Sequence, residues 1–186
     1  MLPSFITALT LSVVVSASSV ETFQEKPRVN DDARVLADFK TRVDKYVELR
    51  KKADDTAPAL KKTEESADIR NSQQMLVERI GLARSGAKPG DIFTPEIAAQ
   101  FKRIIRPESR EHGTKEAIKA DKAENVPFKI NGPYPDKQPL ATMPPNVLAA
   151  LPALPKDIDY RFVDKHLILR DTRANLIIDY MLNVIP

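Results

Sequence analysis

Chemistry in this chain would have to be built from two histidines, His112 and His166, and from a large set of carboxylates. The histidines lie far apart in sequence. Glu108, Glu111 and His112 fall at i, i+3 and i+4, a spacing that can bring two of them to one face of a helix around a metal ion. The same residues serve equally as solvated surface groups, and that is the reading taken: no metal ligands are assigned. Asp171 and Asp179 stand out among the 26 acidic residues because they sit in the C-terminal alternating pattern. Asp179 is expected to share a sheet face with Arg161 and Arg170, diagonal to Arg170. A cross-strand ion pair there would contribute about 0.2–1 kcal/mol and help set register. A ligand-binding Arg–Asp cluster is the functional alternative for Arg161, Arg170 and Asp179. Asp171 is expected to close a turn through its own backbone.

The sequence has no H-E-x-x-H, P-loop, G-x-S-x-G or G-x-G-x-x-G pattern, and its 5 glycines leave little material for phosphate-cradling turns. It has no cysteine, which removes thiol catalysis, disulfides, thiolate zinc sites and a lipoprotein anchor. No catalytic residue is assigned and no cofactor is expected. Lys and Arg number 29 against 26 Asp and Glu, for a net charge of +3. The two signs are intermixed and aromatics are not interleaved with the basic residues, so nucleic acid is not expected as a partner.

The elements that must position these groups begin after an apolar run. Phe5–Val15 followed by the small residues Ser16–Ser19 reads as a signal peptide over 1–19. The run is shorter than the roughly 20 residues needed to cross a bilayer. Met1–Ser4 lacks Lys and Arg, so a buried N-terminal element and an uncleaved anchor remain the alternatives. The expected location is periplasmic or secreted, with membrane contact only through this segment if it is uncleaved.

A flexible lead over 20–30 precedes a helical region, 31–125. Asn30 or Asp31 can cap a long helix in which Val35, Leu36, Phe39, Val43, Tyr46 and Val47 recur at helical spacing. Pro58 makes its continuation unfavourable. Leu36, Phe39, Val43 and Tyr46 form an apolar stripe, assigned to a protein partner or to self-association; intramolecular core is the alternative. A second helix fits 67–85, with Ile69, Leu76, Ile80 and Ala83 in register, and would fold back on the first as a projecting arm. Thr94 as N-cap, Pro95 at the first position and Glu96 open a third helix, which Pro107 is expected to end. The charged stretch 108–124 reads as partly helical surface.

From Val126 the character changes to a Pro-rich connector and a β-meander, 126–186. Val126–Ile130 is a candidate strand, Gly132–Pro135 a turn, and Asn146–Leu151 a short helix started by Pro145. Tyr160–Met181 holds three β-rich runs joined by short polar links. A two-residue link at Asp164-Lys165 pairs Phe162 with Leu167 and Tyr160 with Leu169. Leu176, Ile178 and Tyr180 join that apolar face, while Asp179 and Met181 fall on the other. The fold class expected is α+β: a helical hairpin and further helices, then a small antiparallel meander.

The run from NGPYP through PLATMPPNVLAALPALP to YRFVDKHLILRDTRANLIIDY resembles the C-terminal part of an uncharacterised family of small exported bacterial proteins, a family with no assigned activity. Over about 155–185, the Pro-rich lead, the Tyr160-Arg161 strand and the hairpin bearing Asp171 and Asp179 are similar to the C-terminal module of periplasmic nickel–cobalt homeostasis proteins. The chain departs from that module in having no glycine in either hairpin turn and no His-rich stretch.

Together these observations point to a non-enzymatic binding or scaffold protein of the bacterial envelope. The second resemblance implies periplasmic metal homeostasis as an alternative, and the carboxylate pairs leave a third: an envelope hydrolase using Asp171 and Asp179.

Overall fold

The structure, a computed structural model, describes residues 30–55, 66–110, 128–134 and 143–185. The fold is α+β. Three helices, α1 (Asp31–Asp55), α2 (Ser66–Ala83) and α3 (Pro95–Arg110), precede a short α4 (Pro145–Ala150). Strands β1 (Ile158–Val163), β2 (His166–Asp171) and β3 (Leu176–Met181) follow as an antiparallel meander in the order β1-β2-β3. The signal-peptide segment, the lead up to residue 29, Pro58, the strand start at 126–127 and most of 108–124 lie outside the described residues, and with them Glu111 and His112.

Helix α1 starts where Asn30 Oδ1 accepts the Asp32 N–H at 3.1 Å and the Asn30 carbonyl accepts the Arg34 N–H. Lys40–Asp44 and Arg42–Asp38 ion pairs line its polar face. The helix is about 37 Å long at 1.5 Å per residue, yet it is no projecting arm. Val35, Phe39, Val43, Tyr46 and Ala53 are buried along one stripe. Helix α2 runs antiparallel to it: Arg84, just past α2, stacks over the Tyr46 ring, while Arg79 farther back reaches the Ala53 carbonyl.

Thr94 and Pro95 open α3 as expected, with Thr94 Oγ1 accepting the Ile97 N–H. Pro107 does not end it; the helix continues to Arg110. Proline this close to a C-terminus removes a single hydrogen bond. Tertiary contacts hold the last turn: Asn146 Nδ2 donates to the Glu108 carbonyl at 3.0 Å, and Ser109 is buried.

The first hairpin has the expected register, Phe162 opposite Leu167 and Tyr160 opposite Leu169. Asp164 takes positive φ in its turn, as does Asn175 in the next. The β2–β3 pairing departs from the expectation. Leu169 faces Asp179 and Arg170 faces Ile177, so Ile178 is an extra residue, a β-bulge. Beyond it the faces exchange. Asp179 and Met181 turn to the helices and Tyr180 to the opposite side.

Helices and sheet share one core. It joins Phe39, Ile80, Ile97 and Phe101 to Tyr160, Phe162, Leu167 and Leu169, and the C-terminal Val184 and Ile185 close it. At its centre the Phe39 ring lies 4.8 Å from Phe101 and 5.7 Å from Phe93, with Tyr160 at 6.3 Å. Such pairs contribute about 0.5–1.5 kcal/mol each beyond area burial.

On the sheet's other face Tyr134, Val163, Ile168 and Ile177 form a smaller cluster beneath Phe128 and Tyr180. Phe128–Ile130 is not a strand, and Gly132 does not open a turn. The turn closes at Gly132, whose N–H bonds the Lys129 carbonyl, and 131–134 pairs along the free edge of β3. That strap covers donors and acceptors an edge strand would otherwise expose.

Candidate functional site

The stripe assigned to a partner is occupied from within. Phe39, Val43 and Tyr46 are buried in the shared core, and Leu36 packs against it partly buried. Helical spacing identifies an apolar face; here that face meets β1, α3 and α2. The Tyr46 hydroxyl donates to Asp171 Oδ2 at 2.8 Å, across the helix–sheet interface. Burial, reinforced by the Asp171 charge, holds that hydroxyl protonated far above the usual tyrosine range.

The Arg161–Arg170–Asp179 cluster does not form either. Arg161 and Arg170 converge on the Asp159 carboxylate instead, at 2.8 and 3.0 Å, on the sheet face away from the helices. The Arg170 guanidinium also covers the Tyr134 ring at 5.4 Å. The bulge at Ile178 puts Asp179 on the other side. There Asp179 is fully buried and accepts the N–H groups of Ile92 (2.8 Å) and Phe93 (2.9 Å) on Oδ2, and of Gly90 (3.0 Å) on Oδ1. Gly90 has φ of +88°, a conformation that suits glycine. One carboxylate thus ties the loop after α2 to the third strand.

Asp171 closes its turn as expected. Its Oδ1 accepts the N–H groups of Arg173 and Ala174, both at 2.9 Å. Its Oδ2 receives Tyr46 and, at 3.4 Å, the Arg50 guanidinium, which also approaches Asp157. Both carboxylates that a hydrolytic pair would use are therefore engaged structurally, Asp171 in holding α1 to the sheet and Asp179 in holding the loop after α2. Every buried side-chain nitrogen and oxygen among the described residues has a hydrogen-bond partner.

Among the described residues no group of three or more His, Asp or Glu is gathered as a metal site. Glu108 accepts from Asn146. His166 Nδ1 accepts the Asn183 N–H at 3.0 Å while its ring makes a T-shaped contact with Phe128, so that nitrogen is committed to the C-terminal turn. No described helix is long and apolar enough to cross a membrane.

One accessible surface among the described residues is a groove of about 490 Å³ between α1 and α2. Leu49 and Ala53 of α1 form its floor, and Leu82 and Ala83 of α2 its far side. Leu82 is 77% exposed. Lys45, Lys52 and Arg79 border the groove with Glu48. The groove's sequence signal is an apolar residue out of register: Leu82 lies about 200° around the helix from the buried Ile80.

No family model matches this sequence, and no curated protein or solved structure shows significant similarity to it.

Proposed function

We propose that this chain is a non-enzymatic binding protein of the bacterial envelope, and that it takes its partner in the α1–α2 groove rather than on the stripe through Tyr46. The observation that carries the reading is Leu82, a large apolar side chain 77% exposed beside the apolar floor of Leu49 and Ala53. Two antiparallel helices offer a trough of the width in which an amphipathic helix packs. Three cations against one carboxylate on the border favour an acidic-flanked helix of another protein. A second copy is a poorer fit, because a twofold contact would set the two basic borders against each other. Export rests on the apolar run Phe5–Val15 and the small residues that follow it.

The test places a photo-crosslinking side chain at Leu82 of the full chain in its native cell. The expected product is one envelope protein carrying an acidic amphipathic helix. The Lys45→Glu/Lys52→Glu variant is expected to lose that product while keeping its circular dichroism, since both lysines are exposed. Absence of an adduct, an adduct insensitive to the charge reversal, or an adduct with a second copy of this chain refutes the reading.

A further inference from the structure

A second concave surface lies where the C-terminal end of α2 and residues 87–89 meet the strap 128–131 and Tyr180. It is open to solvent, with a volume of about 560 Å³. Arg84, Lys88 and Lys129 line it, with the Ser85 hydroxyl and the rings of Phe128 and Tyr180, and no Asp or Glu is among its lining residues.

The cations differ in a way that suits a binding site. The Arg84 guanidinium is fixed. It donates to Asn131 Oδ1 at 2.7 Å and to the Ile178 carbonyl, freed by the bulge, at 3.1 Å, and it lies 5.0 Å over the Tyr46 ring. The carboxylates that act on it, Asp179 and Asp91, are already held by loop N–H groups. Lys88 and Lys129 are exposed, and neither ammonium has an ion pair among the described residues.

A helix C-terminus ordinarily repels anions through its unpaired carbonyls. Here two of the last four, and the Arg84 carbonyl just past the helix, are paired. Ile80 receives the Arg84 N–H, Leu82 the Ser85 N–H, and Arg84 both the Ala87 N–H and Asn131 Nδ2. The aromatic wall is likewise preformed, with Phe128 and Tyr180 ring centroids 5.2 Å apart.

We propose that this cleft binds a small anion attached to a ring, a phosphate or carboxylate held between Lys88, Lys129 and the fixed Arg84 with its ring against Phe128 and Tyr180. The anion neutralises the charge of Lys88 and Lys129, which no lining carboxylate balances, beside a guanidinium partly withdrawn from water, where Coulomb attraction is stronger than in bulk solvent. The ring covers the apolar surface of the aromatic wall. The site is distinct from the Leu82 groove, and its failure leaves the reading of that groove untouched.

The test is an amide-resolved NMR titration of the full chain with phenyl phosphate, benzoate, inorganic phosphate and the neutral benzyl alcohol. Saturable shifts confined to Ser85–Lys88 and Phe128–Asn131 are expected for phenyl phosphate or benzoate, at about millimolar affinity or tighter. The more effective of the two identifies the anionic group. Inorganic phosphate is expected to bind more weakly at the same amides. The Lys88→Gln/Lys129→Gln variant, which alters only exposed side chains, is expected to weaken binding about three- to tenfold. Phe128→Leu is expected to weaken phenyl phosphate without changing inorganic phosphate. Absence of saturable shifts, unchanged affinity in the lysine variant, or equal binding of benzyl alcohol overturns the proposal.

Discussion

Replacing Asp179 by asparagine changes almost nothing in volume and removes half of what the carboxylate does. In the folded chain Oδ2 accepts two N–H groups, from Ile92 at 2.8 Å and Phe93 at 2.9 Å, while Oδ1 accepts Gly90 at 3.0 Å and Tyr180 at 2.8 Å. An asparagine retains one acceptor oxygen and sets an NH2 group against the remaining donors. A hydrogen bond to a charged group contributes about 1.5–3 kcal/mol, and a buried donor left unmade costs about 1–3 kcal/mol. Two such losses, moderated by some loop relaxation, amount to about 3–5 kcal/mol. That is a large part of the roughly 5–15 kcal/mol by which a domain is stable.

Urea denaturation followed by circular dichroism measures the loss as a midpoint shift of about 2 M at an m-value near 2 kcal/mol/M. Thermal melting should fall by about 6–20 °C, at roughly 2–4 °C per kcal/mol for this size. Hydrogen exchange supplies the local readout, since the Ile92 and Phe93 amides should lose protection first. A destabilisation below about 1 kcal/mol, or unchanged protection at those two amides, refutes the view that Asp179 fastens the loop to the sheet.

The remaining predictions concern protonation. Burial raises the hydroxyls of Tyr46 and Tyr160 above the ordinary tyrosine range, and both donate in the folded state, Tyr46 to Asp171 and Tyr160 to the Pro152 carbonyl. Their stabilising contribution is therefore complete below the unfolded value near 10 and is lost as pH rises beyond it. Phenolate absorbance should show neither residue ionising before cooperative alkaline unfolding, and a phenolate step from either one with intact circular dichroism contradicts this. Burial lowers the His166 pKa, with Asp164 opposing and Lys165 assisting, and Nδ1 must stay unprotonated to accept Asn183. The unfolded chain thus binds that proton more readily, so stability should fall as pH drops through about 6.5. Melting at pH 7.5 and 5.5 should show a smaller difference in His166→Asn than in the parent; an equal difference rules out this residue.

Much of the fold is local and was therefore legible in the sequence. The 3.6-residue recurrence through Val35, Phe39, Val43 and Tyr46 depends on backbone geometry alone, as do the Asn30 and Thr94–Pro95 starts. The two-residue link at Asp164-Lys165 sets the first hairpin register because loop length and pleat leave one pairing that keeps Phe162, Leu167 and Leu169 on one face. What such periodicity cannot encode is the identity of the surface opposite. The stripe's neighbours are Phe93, Phe101 and Tyr160, brought together only when the chain packs.

The turn of α3 beyond Pro107 is secured by a tertiary contact, Asn146, distant in sequence, donating to the Glu108 carbonyl. The exchange of faces at Ile178 has the same origin. Strict alternation assigns Asp179 to the arginine side. One inserted residue moves it to the buried side, where the N–H groups of a loop nearly ninety positions earlier satisfy its charge. The sequence thus determined the rods, their starts and the first hairpin, since each depends on neighbours within a few residues. Tertiary structure alone decided which faces were covered, which carboxylates were engaged and which surfaces stayed open, because burial and ion pairing depend on groups that meet only after folding.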